Sequence, residues 1–118
     1  MITAKFTVDK DNLYIRMTLK GHAGQAEHGH DIVCASASIL AYTVAQIVKA
    51  MEHHGDLKGK PVIDLEEGDA MISCRCRNPE DFGELVHTFF VAQVGYSLLA
   101  NNYPQYVEVK SVWEGLKP

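Results

Sequence analysis

The chain opens on an alternation. Ile2, Ala4, Phe6 and Val8 are apolar and their neighbours largely polar, the period of a strand with one buried face. Asp9-Lys10-Asp11-Asn12 supplies turn chemistry, and the alternation resumes at Leu13, Ile15, Met17 and Leu19. Together these stretches predict a β-hairpin. Gly21 to His30 holds three glycines, three histidines and little that packs, which predicts a loop. From Ile32 the period changes: Val33, Ala37, Leu40, Val44, Ile47 and Met51 recur every three or four residues, the apolar stripe of a helix. Asp31 suits its N-cap, where a carboxylate accepts backbone N–H groups, and Gly55 its end.

A second hairpin follows: Val62, Ile63 and Leu65, a Glu67-Gly68 turn, then Ala70, Ile72, Cys74 and Cys76 on one face. Asn78-Pro79-Glu80-Asp81 reads as a helix start, with a cap, proline in first position and acids at the positive end of the dipole. The helix it opens carries Phe82, Leu85, Phe89, Ala92, Tyr96 and Leu99 as one stripe. Val86, Phe90, Val94 and Leu98 add apolar positions on a neighbouring face, more than one small sheet covers, and so predict a subunit interface. Beyond Pro104, Val107, Val109 and Ser111 alternate with Glu108 and Lys110 in a last strand. The order ββαββαβ predicts an α+β fold, a two-layer sandwich of two helices on a mixed, mainly antiparallel sheet.

Composition narrows the possibilities. At 118 residues the chain has room for one domain, spanning 1–118. With 47% hydrophobic and 22% charged residues it has the make-up of a folded globular protein. A net charge of -4 argues against a basic face that grips nucleic acid. No apolar run approaches the roughly 20 residues that span a bilayer, so no membrane association is expected. The N-terminus lacks the layout of a secretory signal. Three scattered cysteines make no disulfide scaffold, so a reducing cytoplasm is the expected location.

One segment stands apart chemically: Gly21-His22-Ala23-Gly24-Gln25-Ala26-Glu27-His28-Gly29-His30-Asp31-Ile32-Val33-Cys34. A histidine closes the second strand, a glycine-rich loop follows, and with Asp31 as cap Cys34 falls at the third helical position. Unpaired N–H groups and the helix dipole favour a thiolate there. A helix terminus is worth only about 0.3–1 kcal/mol, so activation of a thiol needs a second effect, and an imidazolium such as that of His22 is the usual one. Asp31 opposes a thiolate unless it caps the helix or orients the imidazole. On residue type and spacing alone two readings of Cys34 stand side by side, a nucleophile and a small buried hydrophobe. His22, His28, His30 and Asp31 are ligand types for zinc, but their spacing fits no closed zinc pattern, and no metal or other cofactor is expected. Cys74 and Cys76, two apart on a strand, read as core.

Gly21-His22-Ala23, Gly29, Asp31-Ile32-Val33-Cys34-Ala35 and Ser38 together resemble the signature of the bacterial ribosomal-processing cysteine protease family, Prp. The predicted element order, the length and the phenylalanine-rich second helix are similar too. The resemblance implies a homodimeric cytoplasmic cysteine endopeptidase. Its substrate would be a ribosomal protein precursor: the family removes a short N-terminal extension from the large-subunit protein numbered twenty-seven. Cys34 would be the nucleophile and His22 the base, with Asp31 and Ser38 supporting or orienting them. Gly21, Ala23, Gly24 and Gly29 would belong to a loop that closes over the peptide. Ser38, one turn after Cys34, equally suits close packing, since Ala41 and Ala45 continue its stripe. The sequence departs from the family in two places. Ala35-Ser36-Ala37-Ser38 stands where Ala-Ala-Val-Ser is common, and Gln25, His28 and His30 stand where Tyr or Lys is frequent. The alternative function is a non-catalytic peptide-binding or ribosome-assembly factor that uses the same loop.

Overall fold

The structure, a computed structural model, describes residues 1–22 and 30–114. Strands β1 (Ile2–Asp9) and β2 (Tyr14–Lys20) form the first hairpin, α1 spans His30–His53, β3 (Val62–Glu66) and β4 (Asp69–Arg75) form the second hairpin, α2 spans Pro79–Asn102, and β5 covers Val107–Glu114. This is the expected ββαββαβ order. The five strands make one sheet in the order β3-β4-β2-β1-β5. All neighbours are antiparallel except β1 and β5, which run parallel, so the sheet is mixed.

Strand alternation decides which face is covered. Ala4, Phe6 and Val8 stand opposite Leu19, Met17 and Ile15, which in turn stand opposite Ala70, Ile72 and Cys74. Ile2, Ala4, Phe6, Val8, Ile15, Met17, Ile72 and Cys74 are buried on that face, and both helices pack against it. α2 meets the sheet with the stripe its sequence predicts: Phe82, Leu85, Phe89, Ala92 and Tyr96 are all buried. Its start is also as expected, since the Asn78 side chain accepts the Asp81 N–H at 2.9 Å and Pro79 opens the helix. The phenol of Tyr96 reaches across the layer and donates to the Ala37 carbonyl of α1 at 2.7 Å, while its ring lies 6.0 Å from that of Phe6. One buried side chain thereby ties α1, α2 and β1 together.

α1 departs from expectation in three respects. Its core face is Val33, Ala37, Ala41, Val44, Ala45, Val48 and Met51, whereas Leu40 is only partly buried and Ile47 is exposed. Alanines let the helix lie close to the sheet, and the buried arc turns away from the bulkiest residues. Second, His30 is already helical, so Asp31 lies inside the helix and is not its N-cap. Cys34 is therefore at least the fifth helical residue, not the third. An acidic residue suits the first turn as well as the cap, so residue type does not separate the two registers. Third, Ile32–His53 is 22 residues long and contains an 18-residue window with a mean hydropathy of 1.6, enough by length and composition to cross a membrane. Ser36, Ser38, Thr43 and Gln46 interrupt the sequence and hide this from a search for unbroken apolar runs. Here the helix lies along the sheet.

Candidate active site

Two strand ends and one helix face meet at the end of the sheet where β2 finishes. There the β3–β4 turn stands beside the residues that follow β2, because Lys20 pairs with Asp69 across the β2–β4 ladder. The Gly21 N–H donates to the Gly68 carbonyl at 2.9 Å and extends the ladder by one bond. The Lys20–Asp69 ion pair at 3.5 Å is solvent-exposed and adds little stability. Gly21 has φ +95°, and a Cβ there would sit 2.2 Å from the Met1 carbonyl oxygen, so only glycine lets the chain turn so closely past β1. On the other side the terminal amine of Met1 donates to the His22 carbonyl. The backbone of His22 is thus held from both neighbours.

Between these strand ends and α1 lies a cavity of about 280 Å³. His22 and Cys34 both line it. From the helix, Ser38 and Tyr42 join Cys34, while Ala37 and Ala41 form the floor beneath them. The opposite wall comes from Leu65, Glu66, Glu67 and Gly68 of the β3–β4 hairpin. Cys34 is half-buried and His22 exposed. The contents of the cavity suit nucleophilic chemistry on an extended substrate: a thiol, an imidazole, a hydroxyl and a flanking pair of carboxylates.

The predicted residues divide as follows. Gly21, His22, Cys34 and Ser38 come together at this cavity. Ala23, Gly24 and Gly29, with the side chain of Asp31, lie outside the described residues, as do His28 and the side chain of His30. Among the described residues no group of three or more histidines, cysteines or acids could hold a metal. No disulfide joins the three cysteines. Burial pushes the Cys74 thiol up to about 12 and the Cys76 thiol to about 11, the latter helped by Asp81 and Asp56, so both are inert core residues. Sequence reasoning missed Tyr42, Glu66, Glu67 and Gly68 as parts of the site. Gly68 is legible as a hairpin turn, but its place beside His22 depends on which strand β4 pairs with. A second, more apolar cavity of about 550 Å³ lies between the β1–β2 turn and α2, lined by Leu13, Phe82 and Val86 among others. Lys10 and Asp11 also line it, but it holds no thiol, hydroxyl or imidazole.

Comparison with known proteins bears on this site. The family model for the cysteine protease Prp matches residues 1–108. A curated relative, the ribosomal processing cysteine protease Prp of Staphylococcus aureus, is 43% identical over 42 residues, which span 36% of this chain and 40% of the relative. Among solved structures, the protein SMU.848 of Streptococcus mutans superposes with a TM-score of 0.67 at 30% identity, covering 97% of this chain and 96% of that one. The S. aureus protease Prp, solved with a covalently linked product peptide, has a TM-score of 0.63 at 25% identity, with 94% and 99% covered. The α+β architecture of this chain matches that of the Prp structures. By the match along nine-tenths of its length, this chain belongs to the Prp family of cysteine proteases.

Proposed function

We propose that this protein is an endopeptidase that removes a short N-terminal extension from a bacterial large-subunit ribosomal protein precursor, with Cys34 as nucleophile and His22 as general base and acid. The observation that carries the proposal is that an imidazole from the end of β2 and a thiol from the start of α1 line one cavity. The S. aureus relative, with its covalently linked product peptide, supports a peptide as substrate.

The chemistry runs in two halves. His22 takes the proton of the Cys34 thiol, and the thiolate forms a C–S bond to the scissile carbonyl carbon. The oxyanion is stabilised by N–H groups of the first turn of α1, which have no acceptor within the helix. The C–N bond then breaks as imidazolium returns its proton to the leaving amine. Water adds to the thioester, giving its proton to His22, and the carboxylic acid leaves as the thiol is restored. Because Cys34 is at least the fifth helical residue, the helix dipole acts on it from a full turn away or more, so the imidazole carries more of the activation than a first-turn cysteine would require. Ser38, one turn along the same face, holds the substrate backbone or the cavity wall.

The exposed side of the helix layer fits a second copy of the chain. Phe90, Val91, Val94 and Leu98 of α2 are between 44% and 58% exposed, an apolar strip that a monomer leaves in water. The active form is accordingly a homodimer, acting in the cytoplasm. The catalytic proposal is tested by mass spectrometry of the precursor before and after incubation. The wild-type protein is expected to release the N-terminal peptide, and Cys34→Ala and His22→Ala each to abolish release while the circular dichroism spectrum is unchanged. Binding without cleavage by the wild type would leave a peptide-binding module in place of an enzyme.

A further inference from the structure

We infer that Gly68, in the β3–β4 turn, is a positioning residue for the His22 imidazole, and that the absence of a side chain there sets where the base can stand. The inference rests on the proposed role of His22. Three observations converge on it. A Cβ built on Gly68 would lie 2.6 Å from both Cε1 and Nε2 of His22 and 3.4 Å from Nδ1, so the Cε1–Nε2 edge of the ring rests against the backbone of the turn. The turn is itself fixed to the chain just before His22, through the bond from the Gly21 N–H to the Gly68 carbonyl. And Gly68 lines the same cavity as His22 and Cys34. The β3–β4 hairpin thus acts as a backstop that keeps an otherwise exposed imidazole at the cavity.

A methyl group at position 68 would force the ring back by about 0.8 Å before it reached ordinary contact at 3.4 Å. The ring is the far end of an exposed side chain, so it can swing aside without disturbing the core. The steric part of the effect therefore falls on the position of the base and not on the fold. The remaining cost is that of placing a non-glycine residue at φ +76°. Gly59 supplies the control: its φ is +75° and nothing lies within 4 Å of a Cβ built there. Gly59→Ala carries the same backbone penalty and touches no part of the site.

The test compares wild type, Gly68→Ala, Gly59→Ala and His22→Ala on a synthetic peptide that spans the precursor cleavage site, with kcat and KM resolved. Misplacing a catalytic group by about 1 Å costs on the order of 10²-fold in rate. The expected result is a fall of that order in kcat for Gly68→Ala with KM nearly unchanged, against wild-type kcat for Gly59→Ala. The NMR signal of the His22 Cε1 proton should move in Gly68→Ala and stay in place in Gly59→Ala. If Gly68→Ala is poorly folded, Gly68→Asn takes its place, since asparagine tolerates a left-handed backbone while still carrying a Cβ. Equal kcat in the Gly68 and Gly59 variants would overturn the inference, as would failure of both Gly68 variants to fold when Gly59→Ala folds. No cleavage by the wild type would instead sink the protease assignment.

Discussion

Alkylation of the three thiols by iodoacetamide separates burial from activation. Thiolate is the reacting species, so the rate at each cysteine follows its ionised fraction and its access. With thiols pushed up to about 12 and about 11, Cys74 and Cys76 are ionised to about one part in 10⁵ and 10⁴ at pH 7. An ordinary accessible thiol near pH 8.5 is about 3% ionised under the same conditions. Such a thiol outpaces Cys76 by about 300-fold and Cys74 by about 3,000-fold before access is counted. Preferential labelling of Cys34 is therefore expected from burial alone and says nothing about catalysis. The pH profile does. Below its midpoint an isolated thiol loses a factor of ten in rate per pH unit, whereas a thiolate paired with imidazolium keeps its rate. At pH 6 the gain in ionised fraction for a paired thiolate is about 10²-fold, and its weaker intrinsic nucleophilicity takes back about a factor of ten. The wild type should then label at Cys34 about tenfold faster than His22→Ala at pH 6, with little difference at pH 9, as read by peptide mass spectrometry. Parallel profiles for the two proteins, each falling tenfold per unit from pH 8 to 6, would refute activation by His22.

The core thiols also set an alkaline limit to stability. Unfolded thiols ionise at about 8.5, while folded Cys76 and Cys74 keep their protons to about 11 and about 12, so their contribution is complete below about pH 8.5 and declines as pH rises from there. The urea midpoint should fall between pH 8 and 10.5, and fall less in the Cys74→Ala/Cys76→Ala double variant; equal slopes would show that the thiols are not responsible. For the proposed homodimer, sedimentation velocity should give a dimer for the wild type and a monomer for Val94→Glu with unchanged helix content. A wild-type monomer at tens of micromolar would reject the interface.

How far the sequence speaks depends on whether a feature is local. The α2 cap, its proline and its buried stripe are all readable because each depends on residues within a few positions, and Asn78, Phe89 and Tyr96 do what their spacing predicts. The face of α1 was less legible. The stripe drawn through Leu40 and Ile47 follows side-chain size, but the helix approaches the sheet closely and seats Ala41 and Ala45 there instead. The site shows the same divide. His22 and Cys34 are conspicuous as residue types near a strand end and a helix start. Gly68 is not, because it reaches His22 only through the pairing of β4 with β2, which joins segments some fifty residues apart. Periodicity identifies strands and leaves open which of them are neighbours.

The parallel docking of β5 beside β1 bears on how the molecule is made. β1 is an inner strand, yet one of its two partners is the last strand of the chain, and the Thr3 hydroxyl waits for the Glu108 carboxylate. During synthesis the hairpins and helices can assemble early, but β1 keeps an open hydrogen-bonding edge until residues beyond 107 leave the ribosome. Contacts this distant in sequence slow folding, and an unpaired edge invites association with other nascent chains. Truncation before β5 should consequently yield material that aggregates, although His22, Cys34 and every other candidate site residue have already been translated.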